Sequence, residues 1–237
     1  MEFTIQEQAL AAVEKAGLRL EMQDDVLVLT DGKLTVSGDF SKMLPRLKQN
    51  NLQREMLVKA ARIKSLSRPL RIVDATAGLG EDAILLAASG HQVCMFEYDP
   101  VIAALLKDAL RRAALHPQLS EIAARMRVLE GDSTKALPQM AALPEEERPD
   151  VVLLDPMFPE RKKSGLIKKK FQLLQQLESP CSAEEELLQA AIAAEPLKIV
   201  IKRPAKGPYL AGRKPDYSLD GKAIRYDCLI NVGLKKQ

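Results

Sequence analysis

Asp155-Pro156-Met157-Phe158-Pro159 follows directly on the apolar run Val151–Leu154 and leads into the basic stretch Arg161-Lys162-Lys163. A carboxylate that ends a buried strand needs a partner, because an uncompensated buried charge is costly. Pro156 and Pro159 stiffen the loop and lower the entropy lost on ordering it. Phe158 offers a face on which a flat ring can stack, a contact worth ~1–3 kcal/mol. Such a segment suits one chemistry. The exocyclic amine of a nucleobase is a poor nucleophile, since its lone pair is delocalised into the ring. Acceptors that hold its two N–H groups favour the pyramidal geometry that frees the lone pair for attack. The Asp155 carboxylate and the Pro156 carbonyl are the candidate pair. No strong general base is required, because the proton leaves after the nitrogen has become cationic. The plainer alternative is a proline turn with Phe158 buried in the core.

A second constellation lies upstream, in Val73-Asp74-Ala75-Thr76-Ala77-Gly78-Leu79-Gly80. Gly78-Leu79-Gly80-Glu81-Asp82-Ala83 fits G-x-G-x-x-A between a predicted strand and a predicted helix, where glycines permit a tight turn and close approach of a ligand to the backbone. The same turn can serve only to pack helix on strand. The neighbouring acids discriminate between ligands. A dinucleotide would set its pyrophosphate at the helix N-terminus, where Glu81 and Asp82 stand close to Asp74 and would repel it. S-adenosylmethionine (SAM) carries a sulfonium and an ammonium and no phosphate, so the same carboxylates favour it. Glu97 ends the next predicted strand, where an acid can accept both ribose hydroxyls. Asp132-Ser133 ends the third, where Asp132 could accept from the adenine amine or serve as an ordinary helix cap.

These groups need an α/β frame. From Leu70 onward strands and helices alternate: strands at Leu70 to Asp74, Gln92 to Glu97, Met126 to Glu130, Asp150 to Asp155 and Leu197 to Lys202, with helices at Gly80 to Ser89, from Pro100, at Leu166 to Leu177 and at Ala183 to Ala194. Ala223 to Val232 reads as a late hairpin arm on the sheet edge. Residues 1–66 read as a small α+β unit, with a helix at Thr4 to Ala16, short strands around the turn Asp31-Gly32, and one or two helices over Phe40 to Ser65 interrupted near Pro45. Residues 67–237 then form a Rossmann-like domain, a mostly parallel sheet with helices on both faces.

Composition narrows the function classes. The chain has 237 residues and a net charge of +3. His91 and His116 are the only histidines, which disfavours a zinc site or a Ser-His-Asp triad; no metal is expected. Cys94, Cys181 and Cys228 have no metal-ligand spacing and read as reduced thiols. No run approaches the ~18 apolar residues of a membrane span, and the N-terminus lacks a signal-peptide pattern, so a cytoplasmic location is expected. Basic residues fall in three blocks: eight from Arg46 to Arg71, six from Arg161 to Lys170 and six from Lys198 to Lys214. They are either solvated faces or one phosphate-binding face assembled by the fold.

Val73 to Gly80 with Asp82-Ala83, Pro100 to Leu106, Leu154 to Pro159, Lys163-Ser164 with Leu166 and Lys168-Lys169, Lys202-Arg203-Pro204 and Arg225-Tyr226-Asp227 together resemble the RsmJ family of SAM-dependent methyltransferases of small-subunit (16S) ribosomal RNA. The resemblance runs from about Leu70 to the C-terminus. It implies a class I SAM-dependent methyltransferase fold and transfer of a methyl group to the exocyclic N2 of a guanine. By position it carries SAM contacts to Glu81, Asp82, Glu97, Tyr98, Asp132, Ser133 and Asp155, beside Asp74, Gly78 and Gly80. Asp155, Pro156 and Phe158 would hold the guanine, and Arg161, Lys162, Lys163, Lys168, Lys202 and Arg203 would contact phosphates of ribosomal RNA or of the small subunit. A methyltransferase acting on DNA adenine or a protein amide, and a non-catalytic RNA-binding module, remain as alternatives.

Overall fold

The computed structural model describes residues 7–156, 184–230 and 232. Among the described residues ten strands form two sheets. The small one contains β1 (Arg19–Gln23), β2 (Val26–Thr30) and β3 (Thr35–Val36) in that order. The large one contains β4 (Arg71–Asp74), β5 (Gln92–Glu97), β6 (Met126–Glu130), β7 (Val151–Leu154), β8 (Lys198–Pro204), β9 (Tyr217–Asp220) and β10 (Ile224–Ile230), in the order β6-β5-β4-β7-β8-β10-β9. β4 to β8 run parallel, and β10 pairs antiparallel with both β8 and β9. From β4 the chain moves outward through β5 to β6; from β7 it moves the other way to β8. The direction reverses between β4 and β7, and open sheets of this kind bind ligands outside the carboxyl ends of the strands at that point.

Both faces of the sheet are covered, which is why its central strands are almost wholly apolar. Ile72, Leu153, Val200, Tyr226 and Cys228 face the helix Glu81–Ala88 in one core. Val73, Val152, Leu154, Ile199, Ile201 and Leu229 face the helix Glu184–Ala193 in the other. The two-residue period carries the first face to the strand ends. Asp74 continues from Ile72, Asp155 from Leu153 and Lys202 from Val200, while Tyr226 stands opposite Lys202 in the β8–β10 register.

The expected late hairpin is present, but its position differs. β10 lies inside the sheet and β9 is the edge. β10 is buried along most of its length, whereas both ends of β9 are exposed, so only β9 tolerates an open side.

The N-terminal sheet packs Leu27, Leu29 and Val36 against Val101, Ala104 and Leu105 of the helix Pro100–Leu115. Asp108 on that helix is fully buried and pins the contact, accepting from the Leu27 N–H at 3.1 Å and from Arg112 Nε at 2.8 Å. The stretch expected as one or two helices from Phe40 forms four short ones, Phe40–Met43, Leu44–Leu47, Gln49–Leu52 and Met56–Ala61. Extended backbone at Lys48 (ψ 134°) and Glu55 (ψ 126°) separates the last three. Phe40, Met43, Leu52 and Leu57 enter the same core as Ile72 and Leu153, so this segment lies beside the start of the helix Glu81–Ala88. The helix expected at Leu166 to Leu177 lies outside the described residues.

Candidate active site

Four strand-borne groups and one helix-borne group meet at the carboxyl ends of β4, β7 and β8. Asp74 is only 1% exposed, and its Oδ1 accepts the Thr76 N–H at 3.2 Å. The Thr76 hydroxyl oxygen accepts the Asp155 N–H at 2.6 Å, which ties the tip of β7 to the loop after β4. Lys202 Nζ lies 2.9 Å from Asp155 Oδ2 and 2.5 Å from Asp82 Oδ2, joining both strand and helix carboxylates. The buried Tyr226 stands beside Lys202.

Three carboxylates around one ammonium leave negative charge uncompensated. Burial pushes the Asp74 carboxyl up to about 8, and the charges of Asp82 and Asp155 add to the effect, against the Thr76 N–H and Lys202. Burial also raises Asp155; Lys202 opposes that rise and Asp82 adds to it. Lys202 shows the complement. Burial pulls its pKa down, but the charges of Asp82 and Asp155 more than offset this and raise it, so the lysine stays cationic.

The glycine loop runs beside this cluster. Gly78 and Gly80 both have left-handed backbone, with φ of 54° and 79°. Their surroundings differ. A Cβ on Gly80 would lie 2.7 Å from Leu106 Cδ1 and 2.9 Å from Phe40 Cζ, whereas one on Gly78 would meet nothing within 4 Å. Gly80 is a packing position, and Gly78 borders open space. Glu97, at the tip of β5, accepts the Gly78 N–H at 2.8 Å and the Asp99 N–H at 2.9 Å, so its carboxylate shapes the loop. Burial raises its pKa, against those two bonds. Each oxygen keeps a second lone pair for a hydroxyl donor. Asp132 caps the turn after β6, accepting from the Thr134 N–H at 3.0 Å and the Thr134 hydroxyl at 2.6 Å, and Ser133 is buried next to it. Tyr98 is 56% exposed directly after Glu97, and Glu81 is exposed at the helix start.

The fold therefore brings Asp74, Asp82 and Asp155 into one cluster and sets Gly78, Gly80 and Glu97 along the adjoining loop. Asp132, Ser133 and Tyr98 lie at the tips of the neighbouring strands, and the buried Pro156 extends β7. Phe158, Arg161, Lys162, Lys163 and Lys168 lie outside the described residues.

Two expected phosphate contacts are corrected. Lys202 is bound between Asp82 and Asp155, inside the site. Arg203, one residue on, points to the opposite face, where its guanidinium is buried and donates to Glu184 Oε1 at 2.9 Å and to the Pro208 carbonyl at 3.1 Å. Among the described residues, the other two basic blocks do not converge on one face either. Arg68 and Arg71 bind Asp150 at the amino end of β7, and Lys198 donates to the Ala60 and Arg62 carbonyls at the amino end of β8. Sequence reasoning also missed Thr76 and Tyr226. The polar residue between Asp74 and the glycines was a signal for Thr76; Tyr226 becomes legible only once β10 is placed beside β8.

A ligand with a sulfonium and an ammonium fits this arrangement. The excess carboxylate is arranged about a loop with room above Gly78, and Glu97 has acceptor capacity beside that space.

Comparison with known proteins agrees. Residues 4–231 match a family model described as "Putative SAM-dependent methyltransferase". The ribosomal RNA small subunit methyltransferase J of Pseudomonas paraeruginosa (strain DSM 24068 / PA7) is 46% identical over 182 residues, covering 77% of this chain and 68% of that protein. Its counterpart in Alkalilimnicola ehrlichii is 45% identical over 201 residues, covering 83% and 74%. The crystal structure of a SAM-dependent methyltransferase from Neisseria gonorrhoeae superposes with a TM-score of 0.74 at 28% identity, covering 98% of this chain and 95% of that one. The rRNA methyltransferase aviRa from Streptomyces viridochromogenes shares the fold, with a TM-score of 0.50 at 17% identity over 78% of this chain and 86% of that one. The fold is thus that of a class I SAM-dependent methyltransferase, and the chain belongs to the ribosomal RNA small subunit methyltransferase J family.

Proposed function

We propose that this protein transfers a methyl group from SAM to the exocyclic N2 of a guanine in 16S ribosomal RNA, acting in the cytoplasm on the RNA or on the small ribosomal subunit. The observation that carries the reading is Asp155. It projects from the tip of β7 at the switch point, its N–H held by Thr76 and its carboxylate by Lys202, while its side chain remains 38% exposed. A carboxylate so fixed, yet open on one side, is suited to accept an N–H of a flat amine.

When bound, SAM supplies an electrophilic methyl on a sulfonium. The residues of the chain do the rest. Asp155 and the Pro156 carbonyl accept the two N–H groups and fix the lone pair on the methyl. Phe158 stacks on the base, which is flipped from its RNA context. Glu97 accepts from ribose hydroxyls, Asp132 and Ser133 lie near the adenine edge, Tyr98 adds a ring beside it, and Asp74, Glu81 and Asp82 favour a cationic ligand over the glycine loop. Arg161, Lys162, Lys163 and Lys168 contact RNA phosphates. Residues 1–66 form a unit that caps the catalytic domain of residues 67–237.

The deciding experiment offers tritiated SAM with rRNA, small subunits, DNA and protein as separate acceptors, followed by nuclease digestion and mass spectrometry. Label in N2-methylguanosine is expected. Label confined to DNA adenine or to protein would replace this reading with another amino methyltransferase. RNA binding with no label in any fraction would leave a binding module.

A further inference from the structure

Lys202 stood in the sequence as one more cation for RNA, and its surroundings give it a different task. We propose that Lys202 is a positioning residue for Asp155: its ammonium, clamped between Asp82 and Asp155, holds the Asp155 carboxylate ionised and in one orientation for the substrate amine. This inference rests on the methyltransferase reading above.

The geometry divides the labour within Asp155. Thr76 fixes its backbone, Lys202 takes Oδ2, and among the described residues no hydrogen bond engages Oδ1. Oδ1 is then the oxygen offered to an amine N–H. Lys202 cannot leave for a phosphate without stranding two carboxylates, and removing one partner from a buried ion cluster is strongly unfavourable. Its side chain is 22% exposed, consistent with a group committed inward.

The charge environment makes the lysine necessary. The groups facing Asp155 are Asp74 from β4 and the Thr76 hydroxyl after it, Asp82 from the helix Glu81–Ala88, Lys202 from β8 and Tyr226 from β10, while the charge of Arg203 acts from the other face of the sheet. Arg46 acts on Asp82 and Tyr226 from the short helix Leu44–Leu47. Desolvation and Asp82 both favour a protonated Asp155, and Lys202 is the foremost of the opposing groups. Without it the balance moves further toward the protonated carboxyl, which presents a donor where the substrate amine needs an acceptor.

The test compares wild type, Lys202→Met and Lys202→Arg by kcat and by KM for RNA from pH 6 to 9, with circular dichroism melting to confirm folding. Lys202→Met is expected to lose about 100-fold in kcat at neutral pH, the scale of one preorganised electrostatic group. Its KM for RNA should hold within about twofold, and the loss should shrink as pH rises and Asp155 ionises again. Lys202→Arg should stay within about tenfold, with its pH profile in place, because the cation is retained. A raised KM at unchanged kcat, with a salt dependence weakened by about one charge, would make Lys202 a phosphate contact and overturn the proposal. A kcat loss equal at every pH would overturn it too.

Should Lys202→Met not fold, Lys202→Gln, which also removes the cation, carries the same comparison. Carboxyl ¹³C titration of aspartate-labelled protein, with Asp155 assigned through Asp155→Asn, needs no RNA. An upward move of the Asp155 midpoint in Lys202→Met supports the proposal, and an unmoved midpoint defeats it. Absence of methyl transfer to RNA by the wild type would instead count against the proposed function.

Discussion

At the amino end of β7, Asp150 meets two guanidinium groups. At the carboxyl end of the same short strand, Asp155 shares a single ammonium with Asp82, close to a third carboxylate, Asp74. Asp150 receives Arg68 Nη1 and Nη2 at 2.7 and 2.8 Å, the Arg71 N–H at 2.8 Å and Arg71 Nη2 at 3.1 Å. Burial alone would raise its pKa, but these bonds and charges hold it below the usual carboxylate range. Asp74 and Asp155 are raised. One end of the sheet is electrostatically finished; the other is left short of positive charge. Such a deficit in a buried site costs stability, and under the proposed function a cationic ligand makes it good.

The largest effect that tests this contrast is at the unfinished end. Asp155→Ala is expected to lower kcat by about 100- to 1000-fold, with S-adenosylhomocysteine binding and RNA binding both retained. Single-turnover kinetics beside calorimetry would read this. If RNA affinity collapsed together with rate, Asp155 would be a binding residue and the division of roles between the two ends would fail.

At the finished end the loss should fall on stability. Asp150→Ala leaves Arg68 and Arg71 without their shared acceptor and frees the Arg71 N–H. The side chain of Asp150 is buried, but Arg68 is substantially exposed, so water recovers part of the cost; a loss of about 2–4 kcal/mol is expected. Urea unfolding would measure it, while kcat per folded molecule stays at the wild-type value.

The two ends also show what a sequence can and cannot disclose. Short apolar runs marked the buried strands, and their endings in Asp74, Glu97 and Asp155 marked the carboxyl ends, because burial on both faces is written in a strand's own residues. The basic block from Lys198 to Lys214 read either as a solvated face or as part of one phosphate-binding face, yet β8 carries Lys198 to the finished end and Lys202 to the unfinished one. Successive residues Lys202 and Arg203 then face opposite sides, one toward Asp82, the other toward Glu184. The acidic run Glu184-Glu185-Glu186 gave no hint that its first member serves Arg203, since partners from different elements are fixed by helix placement. Likewise Phe40 gave no sign that it packs against Gly80.

A smaller effect separates the ends through pH. The pKa of Asp74 is about 8 in the fold and about 4 in an unfolded chain. Between these values the folded state holds a proton that the unfolded state has released. Asp74 therefore contributes stability that is complete below about pH 4 and is lost as pH rises through 8. The ligand-free wild type should lose melting temperature between pH 5.5 and 8.5, and Asp74→Asn should flatten that slope and melt higher than wild type at the alkaline end. Asp150 has the opposite sign: its depressed pKa gives stability at neutral pH that is lost on acidification. A ligand ammonium near Asp74 would favour its ionised form, so binding should release a proton near pH 7, seen by calorimetry in buffers of different ionisation enthalpy.

The smallest effects come from the glycine loop, and they divide stability from ligand within the unfinished end itself. Both positions need left-handed backbone, so alanine at either carries roughly 1 kcal/mol of strain. At Gly80 the new methyl also meets Leu106 and Phe40 well inside contact distance, and crowding of this kind adds ~1–3 kcal/mol. At Gly78 it meets nothing. Gly80→Ala should therefore lower the unfolding free energy by more than Gly78→Ala, by about 1–3 kcal/mol. The order reverses for ligand. The Gly78 methyl would enter the open space above a backbone N–H that Glu97 holds in place, so S-adenosylhomocysteine should bind Gly78→Ala several-fold more weakly, while Gly80→Ala, measured on the folded fraction, should bind nearly as wild type does. Equal affinity in the two variants would mean that the ligand does not pass over Gly78, and the space there would need another occupant.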